Sequence, residues 1–109
     1  ILFHESMSIE LLNILNRVSK KVGNTVAEAV TIDVQDYHTP IIEVVKAANK
    51  ANVGHLIFYH HLPAPRTSLM ESIMYRGVDE ISKNWMASHD GTMAILPVDS
   101  DEIIITSAK

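Results

Sequence analysis

The run Leu56-Ile57-Phe58, bounded by Gly54 on one side and the pair His60-His61 on the other, constrains this chain more than any other feature. A short, unbroken apolar run of this kind is a strand buried on both faces, and such strands belong to parallel sheets covered by helices. Ile1-Leu2-Phe3 has the same form and also ends in polar groups, His4-Glu5. Parallel strands need helical crossovers between them, and the intervening sequence supplies these.

Residues 7–22 follow a helical period. Met7, Leu11, Ile14, Val18 and Val22 fall on one stripe, with Leu12 and Leu15 beside it. Ser6 or Ser8 can cap the start, Lys20 and Lys21 suit the negative end, and Gly23 suits the position beyond it. Residues 24–36 alternate in part and are β-branched, which predicts a short strand or an extended connection. A further helix is predicted after His38, with Thr39 as its cap, Pro40 in its first turn and Gly54 after its end. Its buried face is Ile41, Val44, Val45, Ala48 and Ala51, the alanines suiting close packing on a sheet. Leu62-Pro63-Ala64-Pro65 is a stiff loop, and residues 67–83 are mostly helical with Gly77 as an interruption. Asp90-Gly91, between the apolar segments 85–87 and 92–96, predicts a hairpin, and residues 102–106 form a last strand. The order is that of an α/β layer protein, with polar groups gathered at the carboxyl ends of its strands.

Composition narrows the function classes. With 109 residues and 47% hydrophobic content the chain has the material for one small core. Nine basic against thirteen acidic residues leave no electrostatic footprint for non-specific nucleic-acid binding. No apolar stretch approaches the roughly 20 residues of a membrane-spanning helix. Zero cysteines exclude disulfides, thiolate metal sites and cysteine nucleophiles.

Six histidines carry most of the chemical potential. His60 and His61 are adjacent, so in an extended strand they face opposite sides and only one can serve a given site. Histidines at metal-ligand spacings on one helix are absent, so spacing does not reveal a complete metal centre. His38, in Asp36-Tyr37-His38-Thr39-Pro40, stands at the positive end of a helix with Asp33 and Asp36 nearby. A carboxylate-paired imidazole there suits acid–base work; a turn histidine beside a capping threonine is the structural alternative. Arg66 can meet an anion or remain a solvated surface residue, and Met7, Met70 and Met74 suit core filling.

Taken together, these stretches resemble the C-terminal half of metallo-β-lactamase-fold hydrolases, nearest the ribonuclease Z and arylsulfatase-like branch. The resemblance rests on Leu2-Phe3-His4-Glu5-Ser6, on His38-Thr39-Pro40 opening a helix, and on Val53-Gly54-His55-Leu56-Ile57-Phe58-Tyr59-His60-His61-Leu62-Pro63. Arg76-Gly77-Val78 and Asp90-Gly91-Thr92-Met93 complete it, so it spans nearly the whole chain. It implies the C-terminal half of a four-layer αββα sandwich, residues 1–109 forming part of a single domain. His60 then matches a zinc ligand, with His61 as its back-up, and His38 matches a catalytic histidine. Glu5, His4 and Asp36 lie at the rim of the site or behind its first residues.

The parent activity implied is hydrolysis of a phosphodiester, sulfate ester or acyl or lactone bond by metal-bound hydroxide at a two-zinc centre, on an RNA or small-molecule substrate. The His-x-His-x-Asp-His signature that supplies most ligands in that family does not occur in these residues. The 109-residue chain is therefore expected to be inactive alone, to need the N-terminal half of the domain as partner, and to self-associate through an apolar face. Two other readings remain: a non-enzymatic α/β interaction or oligomerisation domain with structural histidines, and a zinc-bridged homo-oligomer.

Overall fold

The computed structural model describes residues 1–107. Three parallel strands form its sheet: β1 (Leu2–Met7), β2 (Leu56–Leu62) and β3 (Trp85–Ala87), in the order β1-β2-β3. The apolar run Leu56-Ile57-Phe58 lies in the central strand. Leu56, Ile57 and Phe58 are all fully buried, and they pair with Leu2, Phe3 and His4 on one side and Trp85, Met86 and Ala87 on the other.

Four α-helices accompany the sheet: α1 (Ile9–Lys21), α2 (Thr25–Asp33), α3 (Ile41–Lys50) and α4 (Ser68–Met74). Helices α1, α3 and α4 supply Leu11, Ile41, Val44, Val45, Ala48 and Met74 to one core, which packs on Leu56 and Phe58 with Tyr75 and Val78. Within it Tyr75 stacks on Trp85, ring centroids 5.1 Å apart, and Phe58 lies 5.3 Å from Tyr75. The opposite face of the sheet is only partly covered: Ile57 is buried there, while Phe3, its register partner on β1, and Tyr59, two residues further along β2, are 52% and 50% exposed. The mixed α/β class matches the sequence reading. Among the described residues no helix is long and apolar enough to cross a membrane.

Several local expectations are corrected. Met7 ends β1 rather than opening α1, and Ser8, not Ser6, is the cap, its side chain accepting from the Leu11 amide. Only the first part of the predicted α1 stripe is buried; Val18 and Val22 are 50% and 71% exposed. Beyond Ile14 the helix leaves the sheet and contacts α2 instead.

Residues 25–33 are helical, not extended. Asn24 caps α2 by accepting from the Ala27 amide, and α2 docks on α1 through polar groups. Asn16 Nδ2 donates to the Glu28 carbonyl at 3.1 Å and to Thr31 Oγ1 at 2.9 Å. Local β-propensity yields here to a cap and a helix–helix contact.

In α3, Thr39 is not the cap. Pro40 occupies that position without a side-chain bond, and Ala51 at the far end is exposed. Gly77, at φ +88°, does end the α4 region, as a left-handed turn that glycine adopts without a Cβ penalty.

The predicted hairpin across Asp90-Gly91 does not form. The turn itself exists, with the Thr92 amide donating to the His89 carbonyl at 2.9 Å. However, β3 pairs in parallel with β2, and β4 (Met93–Ile95) pairs antiparallel with β5 (Ile104–Thr106) in a separate ribbon. Placing Trp85 against Phe58 and Tyr75 gains more than pairing across a local turn.

Candidate functional site

The carboxyl ends of β1 and β2 bring together the candidate site residues. Along β1, alternation puts Leu2, His4 and Ser6 on the core side and Phe3 and Glu5 on the open side. Along β2 the same rule would send Phe58 and His60 inward and Tyr59 and His61 outward. A bulge reverses it. Glu5 pairs with Tyr59 and Ser6 with His61, so His60 is the extra, unpaired residue. Its φ is +48°, in the left-handed region that costs a non-glycine residue about 1–3 kcal/mol unless its surroundings impose it. Bulges next to functional sites commonly re-aim a side chain in this way.

The re-aimed His60 meets His38. Their ring centroids are 5.6 Å apart and the planes are inclined at 58°. His38 stands just before α3, brought to β1 where Pro40 bridges Met7. Its Nδ1 lies 2.6 Å from Glu5 Oε2. A carboxylate only accepts, so Nδ1 carries the proton and donates it. Glu5 Oε1 in turn accepts from the Thr39 amide at 3.3 Å. Burial acts to raise the Glu5 pKa, but the hydrogen bonds from His38 and Thr39 and the charges of His38 and His4 outweigh it and hold the carboxyl below its ordinary value. Nε2 of His38, facing away from Glu5, is the nitrogen left for a substrate or a metal.

The predicted site residues thus separate into groups. Glu5, His38 and His60 come together. His4 does not join them through its ring, whose Nδ1 donates to the Glu5 carbonyl at 2.9 Å. Asp36 is exposed at the end of a 3-10 turn, Val34–Asp36, and the carboxylate bound to His38 is Glu5, 33 residues away in sequence. His61 turns into the core side. Its Nε2 donates to the Ser88 carbonyl at 2.7 Å, so Nδ1 of the neutral ring accepts, with Tyr75 Oη at 2.6 Å and Ser6 Oγ at 2.9 Å as the donors available.

Ser6, Tyr75 and Ser88 had no sequence signal as site neighbours. Ser6 is indistinguishable from a helix cap in the sequence, and Tyr75 from an ordinary amphipathic position. Ser6 is 1% exposed, so the Ser6–His61 pair cannot reach a substrate as a nucleophile. Burial drives the Tyr75 phenol pKa well above its ordinary value, with Glu71 adding to the rise and the bond to Ser6 opposing it. The phenol therefore stays a donor throughout the neutral range.

Arg66 is exposed and lines a 530 Å³ cleft behind His61, where His89 Nε2 faces both Glu71 oxygens at 3.0 Å. Four clefts of 360–530 Å³ are lined by other residues and include none of Glu5, His38 and His60.

A zinc site needs three or four protein ligands. Among the described residues no three His, Asp or Glu side chains are placed to hold a metal ion. His60 and His38 Nε2 offer two imidazoles, while Glu5 is engaged by His38 and Thr39. A two-zinc centre does not fit the residues of this chain alone. No protein-family model, curated protein or solved structure matches the chain, so the geometry carries the functional argument.

Proposed function

We propose that this chain is the part of a metal-dependent hydrolase that carries its acid–base histidine and one ligand, in the manner of the C-terminal half of a metallo-β-lactamase-like αββα sandwich. The observation that supports it most is the Glu5–His38–His60 constellation at the carboxyl ends of two parallel strands, where open α/β sheets place their sites. The half-exposed Phe3 and Tyr59 face of the sheet suits a second layer supplied by polypeptide outside these residues. That polypeptide would also bring the remaining ligands.

In this reading His60 is the ligand, and zinc, when bound by the complete set, supplies an activated water and a Lewis acid. Glu5 holds His38 with Nδ1 protonated and Nε2 directed outward. His38 Nε2 would then be placed to take a proton from the attacking water and to give one to the leaving oxygen of a phosphodiester, sulfate ester or acyl substrate. The Thr39 amide keeps the carboxylate from rotating away. These residues orient and move a proton; they do not complete a metal centre.

The alternative is a non-enzymatic α/β interaction or oligomerisation domain. It draws on the same exposed apolar face and on the shortage of ligands. Hydrolysis of a generic phosphodiester and zinc content, measured on this chain and on a form extended upstream, separate the two. The hydrolase reading expects zinc-dependent turnover only in the extended form, lost in His60→Ala. An extended form without zinc-dependent turnover, or one indifferent to His60→Ala, overturns it.

A further inference from the structure

We infer that Ser6, His61 and Tyr75 are positioning residues: a buried hydrogen-bonded latch that holds the β2 bulge and thereby fixes the His60 imidazole against His38. The inference deepens the proposed function in its use of His60, while its geometric content stands without any metal or substrate.

Register decides which of the two histidines faces the core. His60 and His61 compete for one place on the core side of β2, and ordinary alternation would award it to His60. The pairing instead steps from Glu5–Tyr59 to Ser6–His61, which extrudes His60. A left-handed φ at a histidine is retained only where the neighbouring structure imposes it. What imposes it is the set of bonds made by the next residue.

His61 is tied on both ring nitrogens. Nε2 donates to the Ser88 carbonyl at 2.7 Å, just past the end of β3. Nδ1 lies 2.9 Å from Ser6 Oγ on β1 and 2.6 Å from Tyr75 Oη, at the end of α4. Tyr75 Oη gives its single proton to Ser6 Oγ at 2.9 Å, which leaves the Ser6 hydroxyl to donate to Nδ1. Ser88 closes the circuit, its amide and hydroxyl both donating to the Phe58 carbonyl, at 2.9 and 2.7 Å. One imidazole therefore joins all three strands to α4 at the level of the bulge.

Letting His61 out would leave the Ser6 and Tyr75 hydroxyls buried without it, which the low exposure of both residues makes costly. Two adjacent histidines thus divide the work. The one whose ring is bonded on both sides selects the register, and the register aims the other.

The test is histidine-selective NMR on the full 109-residue chain without metal. In wild type, His61 is expected as the Nε2–H tautomer, and His38 and His60 ring protons are expected to cross-relax. An Nδ1–H tautomer at His61 overturns the inference without any variant. In Tyr75→Phe and in Ser6→Ala, the His38–His60 cross-peaks should be lost and the His60 ring signals should shift toward those of an unfolded histidine, while α3 amide signals remain dispersed.

His61→Gln, which keeps one donor and one acceptor, should restore the His60 signals in part, and His61→Leu should not. A folded Tyr75→Phe or Ser6→Ala that keeps the cross-peaks shows the network to be only stabilising, and overturns the proposal. If both variants unfold, the comparison of His61→Gln with His61→Leu and the wild-type tautomer decide it. Zinc-dependent turnover in an extended form tests the hydrolase reading separately, so either can fail while the other stands.

Discussion

Nδ1 of His38 lies 2.6 Å from Oε2 of Glu5, joining the turn before α3 to the end of β1. The contact sets the tautomer of the imidazole and gives the carboxylate a hydrogen-bond donor. Glu5 keeps its second oxygen on the Thr39 amide, so the pair is braced rather than mobile. Both partners retain partial contact with solvent, with side chains 22% and 26% exposed. That exposure moderates what the pair adds to stability and leaves His38 Nε2 reachable.

The first prediction concerns pH. The folded-state pKa of Glu5 is lowered, so its contribution to stability is fully present above the ordinary carboxylate value and is lost as pH falls through the lowered one. Urea unfolding followed from about pH 6 down to about pH 3 should show an acid limb that Glu5→Gln flattens, since glutamine does not titrate there. An identical acid limb in the variant would show that other carboxylates set it.

Activity in an upstream-extended form provides the second. Removing a positioned acid–base histidine typically costs about 10²–10⁴-fold in rate, so on the proposed hydrolase reading His38→Ala should fall in that range with zinc content unchanged. Glu5→Gln should cost less, roughly 10–100-fold, because the ring survives and only its orientation and tautomer are loosened. A Glu5→Gln loss larger than that of His38→Ala would reverse the assigned order of dependence.

Packing supplies the third. Phe58 is 0% exposed and in contact with two aromatic rings. Phe58→Ala should destabilise by about 3–5 kcal/mol, a large fraction of the total for a domain of this size. Chemical denaturation read by Trp85 fluorescence measures it, and Phe58→Leu should cost distinctly less. Equal losses in the two variants would mean that cavity volume is not the cause.

The α1–α2 contact gives the fourth. Asn16 Nδ2 bonds the Glu28 carbonyl and Thr31 Oγ1, and the outer face of α2 leaves Val26 and Val30 in solvent. Asn16→Ala should cost about 1 kcal/mol and speed amide exchange in α2 well before it affects α3. Uniform acceleration across all helices would instead show that α2 opens only with the whole fold.

Gly77 offers a fifth, purely local test. At φ +88° an alanine is strained, although its Cβ would meet only Ile42 Cδ1 at an ordinary 3.8 Å. Gly77→Ala should therefore cost about 1 kcal/mol through the backbone alone. A thermal melt no lower than wild type would contradict it.

Much of the architecture was legible along the chain. The Leu56-Ile57-Phe58 run announced a buried strand because burial on both faces leaves no room for a polar residue. Periodicity placed α1 and α3 to within a few residues and found the start of α4, which ends at Met74 rather than running on to residue 83. Those are local properties, readable within a window of about ten residues. The errors arose where a distant partner outweighed a local preference: Asn16 and the Asn24 cap drew residues 25–33 into a helix, and the core drew Trp85 away from the Asp90-Gly91 turn.

The site shows the same division most sharply. Adjacency already established that His60 and His61 must face opposite ways, because a strand alternates. Which one faces His38 depends on a bulge, and the bulge on Ser6, Tyr75 and Ser88, which lie 55, 14 and 27 residues from His61. Glu5, not the nearer Asp36, holds His38 for a related reason: β1 and the start of α3 meet only after the chain has folded back between them. Residue types and their local spacing narrowed the chemistry to a few side chains. Their pairing was settled by contacts across the sheet, which no sequence window contains.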